Sequence, residues 1–228
     1  MTLTGIRAVV FDKDGTLIDV HQTWGPAMAL ALTDLVDDPD TRGRAAATIG
    51  VDLDTHELDP DGAIIAASND QIIELLTPVL EVDPVAFLPV FEERLYAHAG
   101  VSVRPLPDVA EVLDAVQAMG LWIGLATNDG ESSARQQLDG LGWLDRFESI
   151  VGYDSGFGAK PGPGMLLASA ARAGVEPHEL LLVGDTDTDL RTAAAAGCPS
   201  VLVHAPIGSV TPTVHLDRLR ELPDLLRG

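Results

Sequence analysis

The chain has 228 residues, of which 35 are acidic and 14 basic, and a formal net charge of −21. This charge would repel nucleic acid, so we expect no nucleic-acid partner. Hydrophobic residues make up 46% of the chain, which argues against disorder and leaves ample material for a core. The single cysteine, Cys198, cannot form an internal disulfide, and the sequence shows no leader pattern and no apolar run of membrane-spanning length. We therefore predict a soluble cytoplasmic protein without a membrane partner.

Short apolar runs alternate with helical patterns along most of the chain. The apolar runs predict buried strands at 6–11, 121–126, 149–151, 180–183 and 200–203. Helical patterns occupy 108–119, 131–141, 162–174 and 188–196. A glycine follows three of these helical patterns where a helix would end, at Gly120, Gly174 and Gly197. The alternation predicts an α/β fold with a doubly wound parallel sheet.

The stretch from about 20 to 98 interrupts this alternation. It contains helical patterns near 21–36, 61–77 and 84–98, separated by turn-rich breaks, and no convincing strand. We therefore predict a discontinuous α/β core domain, 1–19 together with 100–228. A smaller, mostly helical domain over 20–99 is inserted after the first strand.

Two carboxylates follow the first predicted strand, in Asp12-Lys13-Asp14-Gly15-Thr16. Open α/β sheets bind ligands at the carboxyl ends of their strands. Carboxylates this close repel each other, and a divalent cation would offset the repulsion, because hard cations prefer oxygen ligands. The alternative is an acidic turn, since Asp and Gly are ordinary turn residues.

A second acidic run, Gly184-Asp185-Thr186-Asp187-Thr188-Asp189, follows the fourth predicted strand. A helix N-cap would explain one of these aspartates, but it does not readily explain three alternate ones. If the fourth strand lies beside the first, the two acidic runs converge on one metal site.

Two shorter motifs offer groups that suit phosphate. Thr127-Asn128-Asp129 follows the second strand, where a hydroxyl, an amide and helix N–H groups could bind phosphate oxygens, although the motif is also an ordinary helix cap. Lys160 stands among Gly and Pro neighbours, and it is one of only two lysines, with Lys13, against twelve arginines. A chain that avoids lysine on its surface favours a specific use for Lys160, such as balancing a phosphoryl group.

In this order and at these strand ends, the four motifs resemble the haloacid dehalogenase superfamily over nearly the whole chain. The phosphoglycolate phosphatase-like branch is the best match. The resemblance implies a Rossmann-like core with the helical insert as a cap domain. It also implies an Mg²⁺-dependent phosphatase that hydrolyses a small phosphorylated metabolite through an aspartyl-phosphate.

The resemblance assigns catalytic roles residue by residue. Asp12 is the nucleophile, and Asp14 is the general acid for the leaving alcohol and then the base that activates water. Thr127 is expected to hydrogen-bond the transferring phosphoryl group, with Asn128 beside it. Lys160 is expected to hold both Asp12 and the phosphate.

The same resemblance predicts an Mg²⁺ site and further substrate contacts. The metal would be held by Asp12, the backbone carbonyl of Asp14, Asp185 and, through water or a hydrogen bond, Asp189. Three more residues are candidate substrate contacts: Thr16 in the first motif, and His21 and Trp24 just past it. Trp24 is also explained as an ordinary core residue, and Lys13 receives no role.

The superfamily also contains branches with other activities. A haloacid dehalogenase needs neither a metal nor the second acid, and phosphonatase-like members use a cap lysine, whereas residues 20–98 contain no lysine. A β-phosphoglucomutase-like phosphotransferase stays open, although that branch usually has Val in place of Thr16. A non-catalytic member that binds a ligand at the same site is the remaining alternative.

Overall fold

The computed structural model describes residues 3, 5–60, 62–65, 67–206 and 208–227. The chain divides into two compact units. One comprises Met1–Ile18 together with Pro105–Gly228, and the other comprises Asp19–Arg104. Among the described residues, none of the helices combines the length and the apolar character needed to cross a bilayer.

The first unit is built on a parallel sheet. Over the described part of the chain its strands are β1 (Ala8–Phe11), β2 (Trp122–Ala126), β3 (Ser149–Val151), β4 (Leu180–Gly184), β5 (Ser200–Val203) and β6 (Val214–Leu216). Their order is β3-β2-β1-β4-β5-β6, and each neighbouring pair is parallel. Phe11 at the end of β1 lies opposite Leu125 of β2 and Val183 of β4. The carboxyl ends of these three strands therefore lie side by side.

The helices, in chain order, are α1 (Val20–Leu35), α2 (Pro39–Ile49), α3 (Asn69–Leu80), α4 (Pro84–Ser102), α5 (Val109–Ala118), α6 (Glu131–Gly140), α7 (Gly164–Ala173), α8 (Asp187–Ala196) and α9 (Leu222–Arg227). The first four lie in the helical unit and the others in the sheet unit. Every residue of β1 and β4 is buried, which explains why their sequences are continuously apolar rather than alternating.

The helical unit has its own hydrophobic core. Trp24, Met28, Phe91 and Leu95 are among its buried members, and α1 packs against α4. Three of its helices start at an aspartate whose carboxylate accepts hydrogen bonds from the first turn: Asp19 for α1, Asp38 for α2 and Asp83 for α4. These caps give a structural use to part of the acidic surplus.

The α/β class with a parallel sheet is confirmed, and all five predicted strands are present. Some expectations were wrong. The turn-rich break at Asp37–Asp40 is instead the start of α2, because Asp38 caps the helix and Pro39 occupies its first turn. The helix predicted near 61–77 is a short 3₁₀ turn, Ala63–Ile65, followed by α3, and residues 61 and 66 lie outside the described residues. The sequence analysis did not predict β6 or α9.

Candidate active site

Asp12 and Lys160 form the centre of the site. Asp12 is the first residue after β1, and its N–H donates to the carbonyl of Val183 in β4 at 2.8 Å, which continues the sheet pairing. The Lys160 Nζ donates to the Asp12 carboxylate and, at 2.6 Å, to Asp189 Oδ1. Asp12, Lys160 and Asp189 are all buried. The lysine thus bridges one carboxylate at the end of β1 and another in the first turn of α8.

Asp185 completes a cluster of three carboxylates. Asp12, Asp185 and Asp189 each place an oxygen within 4.8 Å of the others. The Thr16 hydroxyl donates to Asp185 at 3.2 Å, and the Thr186 hydroxyl donates to Asp189 at 2.6 Å. These hydrogen bonds orient the carboxylates of Asp185 and Asp189. The two acidic runs converge because β1 and β4 are neighbours, which is the condition that the sequence analysis set.

The electrostatics of the cluster reflect burial and crowding. The pKa of Asp12 is raised to about 7: burial raises it most, Lys160 acts against burial, and the nearby carboxylates of Asp189 and Asp14 also raise it. Burial and the Asp12 and Asp189 carboxylates hold the pKa of Asp185 well above its usual value. Burial alone would lower the pKa of Lys160, but Asp12 and Asp189 outweigh it and the pKa is raised. The cluster thus contains three carboxylates, and the Lys160 ammonium forms ion pairs with two of them.

The residues present fit a divalent cation. The cluster offers oxygen ligands only, which suits Mg²⁺, and its charge exceeds what Lys160 can neutralise. Gly15 has φ of +85°, and an added Cβ there would collide with the Asp185 carboxylate. Glycine thus lets the first acidic loop approach Asp185 closely.

We expect Gly15→Ala to destabilise the protein by at least about 2 kcal/mol, because a left-handed backbone and a steric collision combine. Gly120→Ala is the matched control: Gly120 also has a positive φ, +72°, but nothing lies within 4 Å of an added Cβ. That control should cost only about 1 kcal/mol, because it carries the strain of the left-handed backbone without the collision. If chemical denaturation gave the same loss of unfolding free energy for both variants, the close approach of Gly15 to Asp185 would not contribute to stability.

Asn128 holds the backbone of Lys160. Its Oδ1 accepts from the Lys160 N–H at 2.8 Å, and its Nδ2 donates to the Lys160 carbonyl at 3.1 Å. Thr127, the preceding residue, is buried, and its hydroxyl lies 3.4 Å from Asp14 Oδ2. The loop after β2 therefore positions Lys160 through Asn128 and reaches Asp14 through Thr127.

A second buried charge network surrounds Asp14. The Lys13 Nζ lies 3.0 Å from Asp14 Oδ1, 3.1 Å from Asp129 Oδ2 and 2.7 Å from Gln137 Oε1. Burial alone would lower the pKa of Lys13, but Asp14 and Asp129 outweigh it and the pKa is raised. Burial raises the pKa of Asp129 to about 6, although Lys13 beside it acts in the opposite direction. Lys13 thus joins the loops after β1 and β2 to α6.

The sheet unit brings together nearly all of the predicted site residues: Asp12, Asp14, Thr16, Thr127, Asn128, Lys160, Asp185 and Asp189. His21 and Trp24 belong to the helical unit. His21 is exposed near the start of α1, whereas Trp24 is only 7% exposed and packs in that unit's core. Packing therefore accounts for Trp24.

The sequence analysis missed the partners of Lys13. The rarity of lysine drew attention to position 13, but Asp129 belongs to a motif that the sequence left open between phosphate binding and a helix cap. Gln137 is one polar residue among several on α6, and no sequence signal distinguishes it. Its contact with Lys13 depends on how α6 packs against the sheet.

Comparisons with known proteins show what this chain is similar to. The family model described as haloacid dehalogenase-like hydrolase matches residues 6–197. A phosphoglycolate phosphatase from Xylella fastidiosa (strain 9a5c) is 34% identical over 197 residues, covering 86% of this chain and 79% of the relative. A phosphoglycolate phosphatase from Thiobacillus denitrificans is 31% identical over 226 residues, covering 96% and 92%. The crystal structure of a predicted phosphoglycolate phosphatase from Haemophilus somnus 129pt superposes with a TM-score of 0.71 at 21% identity, over 97% of this chain and 98% of that chain.

Proposed function

This chain belongs to the haloacid dehalogenase-like hydrolase family, and we propose that Asp12 attacks a small phosphomonoester to form an aspartyl-phosphate. The family and the phosphatase relatives identify the chain as a phosphoric monoester hydrolase. One observation carries the proposed mechanism. A buried carboxylate at the end of the central strand is bridged by a buried lysine to a second carboxylate, with a third beside them.

The attack of Asp12 on phosphorus brings negative groups together. An anionic nucleophile approaches an anionic phosphoryl group. Positive charge beside the reacting atoms is therefore needed to stabilise the transition state. Lys160 supplies one such charge at the nucleophile itself, and the clamp from Asn128 fixes where it stands. Thr127 is proposed to donate its hydroxyl to an oxygen of the transferring group.

Asp14 is proposed to move the proton. As the bond from phosphorus to the leaving oxygen breaks, Asp14 gives its proton to that oxygen. It then takes a proton from the water that attacks the phosphorus of the aspartyl-phosphate, which releases inorganic phosphate and restores Asp12. The side chain of Asp14 is 18% exposed, so substrate and water can reach it.

We propose Mg²⁺ as the cofactor, held by Asp12, Asp185 and the backbone carbonyl of Asp14. Asp189 supports this site through the hydrogen bonds that it accepts from Lys160 and Thr186. When bound, the cation supplies charge neutralisation for the phosphoryl oxygens. The surplus of carboxylate over ammonium in the cluster supports this assignment.

We propose a small phosphorylated metabolite of the cytoplasm as the substrate, and 2-phosphoglycolate as its first candidate. The phosphoglycolate phosphatases at 34% identity support this choice. The helical unit, Asp19–Arg104, is proposed to act as the cap that selects among substrates, with His21 as a candidate contact. A panel of phosphomonoesters that includes 2-phosphoglycolate and hexose phosphates tests the choice. Preferred turnover of a hexose phosphate, or its isomerisation, would favour the phosphoglucomutase-like alternative instead.

Removal of metal should abolish activity. We expect EDTA to reduce phosphatase turnover at least about 10²-fold and added Mg²⁺ to restore it, because the cation neutralises charge that the protein alone leaves unbalanced. Mg²⁺ should also raise the melting temperature of the wild type, since it binds only the folded cluster.

Asp185→Asn should lose most of this thermal response to Mg²⁺. Asp187→Asn is the matched control, because Asp187 is two residues away and binds Ser209 rather than the cluster. Activity that survives chelation, or an equal Mg²⁺ response in both variants, would contradict the metal assignment.

A further inference from the structure

Lys13 is a fully buried cation to which the reaction described above gives no role. Its Nζ contacts both carboxylate oxygens of Asp14, at 3.0 Å and 2.9 Å, as well as Asp129 and Gln137. Burying an ammonium group is costly unless carboxylates and hydrogen-bond acceptors surround it. One of the two lysines in the chain is thus buried, at a cost in free energy, in contact with Asp14, the residue proposed to transfer the proton.

We propose that Lys13 is a positioning residue that orients the Asp14 carboxyl group for proton transfer to the leaving group. The inference rests on the proposed function, since Asp14 needs a fixed orientation only if it transfers the proton in that mechanism. Contact with both oxygens restricts rotation of the Asp14 carboxyl group about its Cβ–Cγ bond. The hydroxyl of Thr127, 3.4 Å from Asp14 Oδ2, is at the limit of hydrogen-bond distance and too weak to do this alone.

The surroundings of Lys13 fix it from the side away from solvent. Gln137 of α6 accepts at 2.7 Å, and Asp129 in the loop after β2 forms an ion pair at 3.1 Å. The Lys13 side chain is 0% exposed, whereas that of Asp14 is 18% exposed. The lysine therefore contacts Asp14 from the interior, and part of the Asp14 side chain remains exposed to solvent.

The test compares two leaving groups in Lys13→Met. The alkoxide that leaves an alkyl phosphate needs a proton, whereas the p-nitrophenolate that leaves p-nitrophenyl phosphate is a weak base and departs without one. We expect kcat/KM for the best alkyl phosphate to fall at least about tenfold and kcat/KM for p-nitrophenyl phosphate to change less than about threefold. Because kcat/KM reports only the steps up to formation of the aspartyl-phosphate, the later role of Asp14 as a base does not affect it.

Two comparisons separate positioning from general loosening of the fold. Leu138→Ala removes buried packing beside Gln137 on α6, and it should change both kcat/KM values by the same factor. In an Asp14→Asn background, Lys13→Met should cost nothing further on the alkyl phosphate, since Lys13 acts through Asp14. Equal losses on both substrates, or a further loss in that background, would overturn the inference.

A Lys13 variant that does not fold and a wild type that is inactive would lead to different conclusions. If Lys13→Met does not fold, Lys13→Gln, whose shorter side chain keeps a donor, takes its place in the same comparison. Misfolding of both variants would overturn the inference, because Lys13 would then serve the fold rather than Asp14. A wild-type protein that hydrolyses neither substrate overturns the proposed function itself. Activity on both substrates with an unchanged ratio in the variant overturns only the role of Lys13.

Discussion

Asp12→Asn should lower phosphatase turnover by at least about 10³-fold, because an amide cannot form the phosphorylated intermediate. The fold should survive, since the substitution removes one negative charge from a buried cluster that has three. Lys160 keeps its partner Asp189 in this variant. Steady-state kinetics on the preferred substrate, with circular dichroism on the same sample, measures both parts of the expectation.

Asp187→Asn is the control for the Asp12 experiment. It makes the same chemical change at the first residue of α8, where the carboxylate accepts from the N–H of Ser209 at 2.8 Å. We expect its turnover to stay within about threefold of the wild type, as is usual for a residue outside the reacting groups. Asp12→Asn with near-wild-type turnover would rule out Asp12 as the nucleophile.

Lys160→Met should damage both stability and activity. The substitution removes the one ammonium between Asp12 and Asp189 and leaves two buried carboxylates without it. Removing one partner of a buried ion pair typically costs about 3–5 kcal/mol, and we expect a loss of this size in the presence of EDTA. Turnover at saturating Mg²⁺ should fall about 10²-fold or more, because charge at the nucleophile is lost.

Arg135→Met provides the contrast for Lys160. Arg135 forms an ion pair with Glu131 at 2.8 Å, but its side chain is 48% exposed and solvent screens the interaction. Such surface pairs contribute about 0–1 kcal/mol, so denaturant unfolding should barely change. If Lys160→Met unfolded at the same denaturant concentration as Arg135→Met, the bridge through Lys160 would not hold the site together.

The sheet could be predicted because burial leaves a strong pattern in the sequence. Strands β1 and β4 are covered on both faces, so each is an unbroken apolar run. Strand β6 has only three residues and lies at the sheet edge with one of them exposed, so it leaves no such run.

The start of α2 was misjudged for another reason. Asp38 and Pro39 suit a turn and a helix N-terminus equally well, and only the packing of Ala45, Ala46 and Ile49 decides between them.

The candidate site was predictable as far as strand ends determine it. Parallel neighbours bring their carboxyl ends together, so Asp12 and Asp185 had to meet once β1 paired with β4. The contacts of Lys13 follow no such rule. Gln137 is 124 residues away, and its approach depends on the rotation of α6 about its own axis. Patterns in the sequence therefore indicated which loops meet, but not which buried side chains support them.

Capture of the phosphorylated enzyme tests the central claim most directly. The wild type is mixed with its preferred phosphomonoester and Mg²⁺, quenched in acid within the first turnovers, digested, and analysed by peptide mass spectrometry. The account predicts one added phosphoryl group on the peptide that contains Asp12, and none on that peptide from Asp12→Asn. Rapid hydrolysis with no phosphoryl group on any peptide, or a phosphoryl group on another residue, would contradict it.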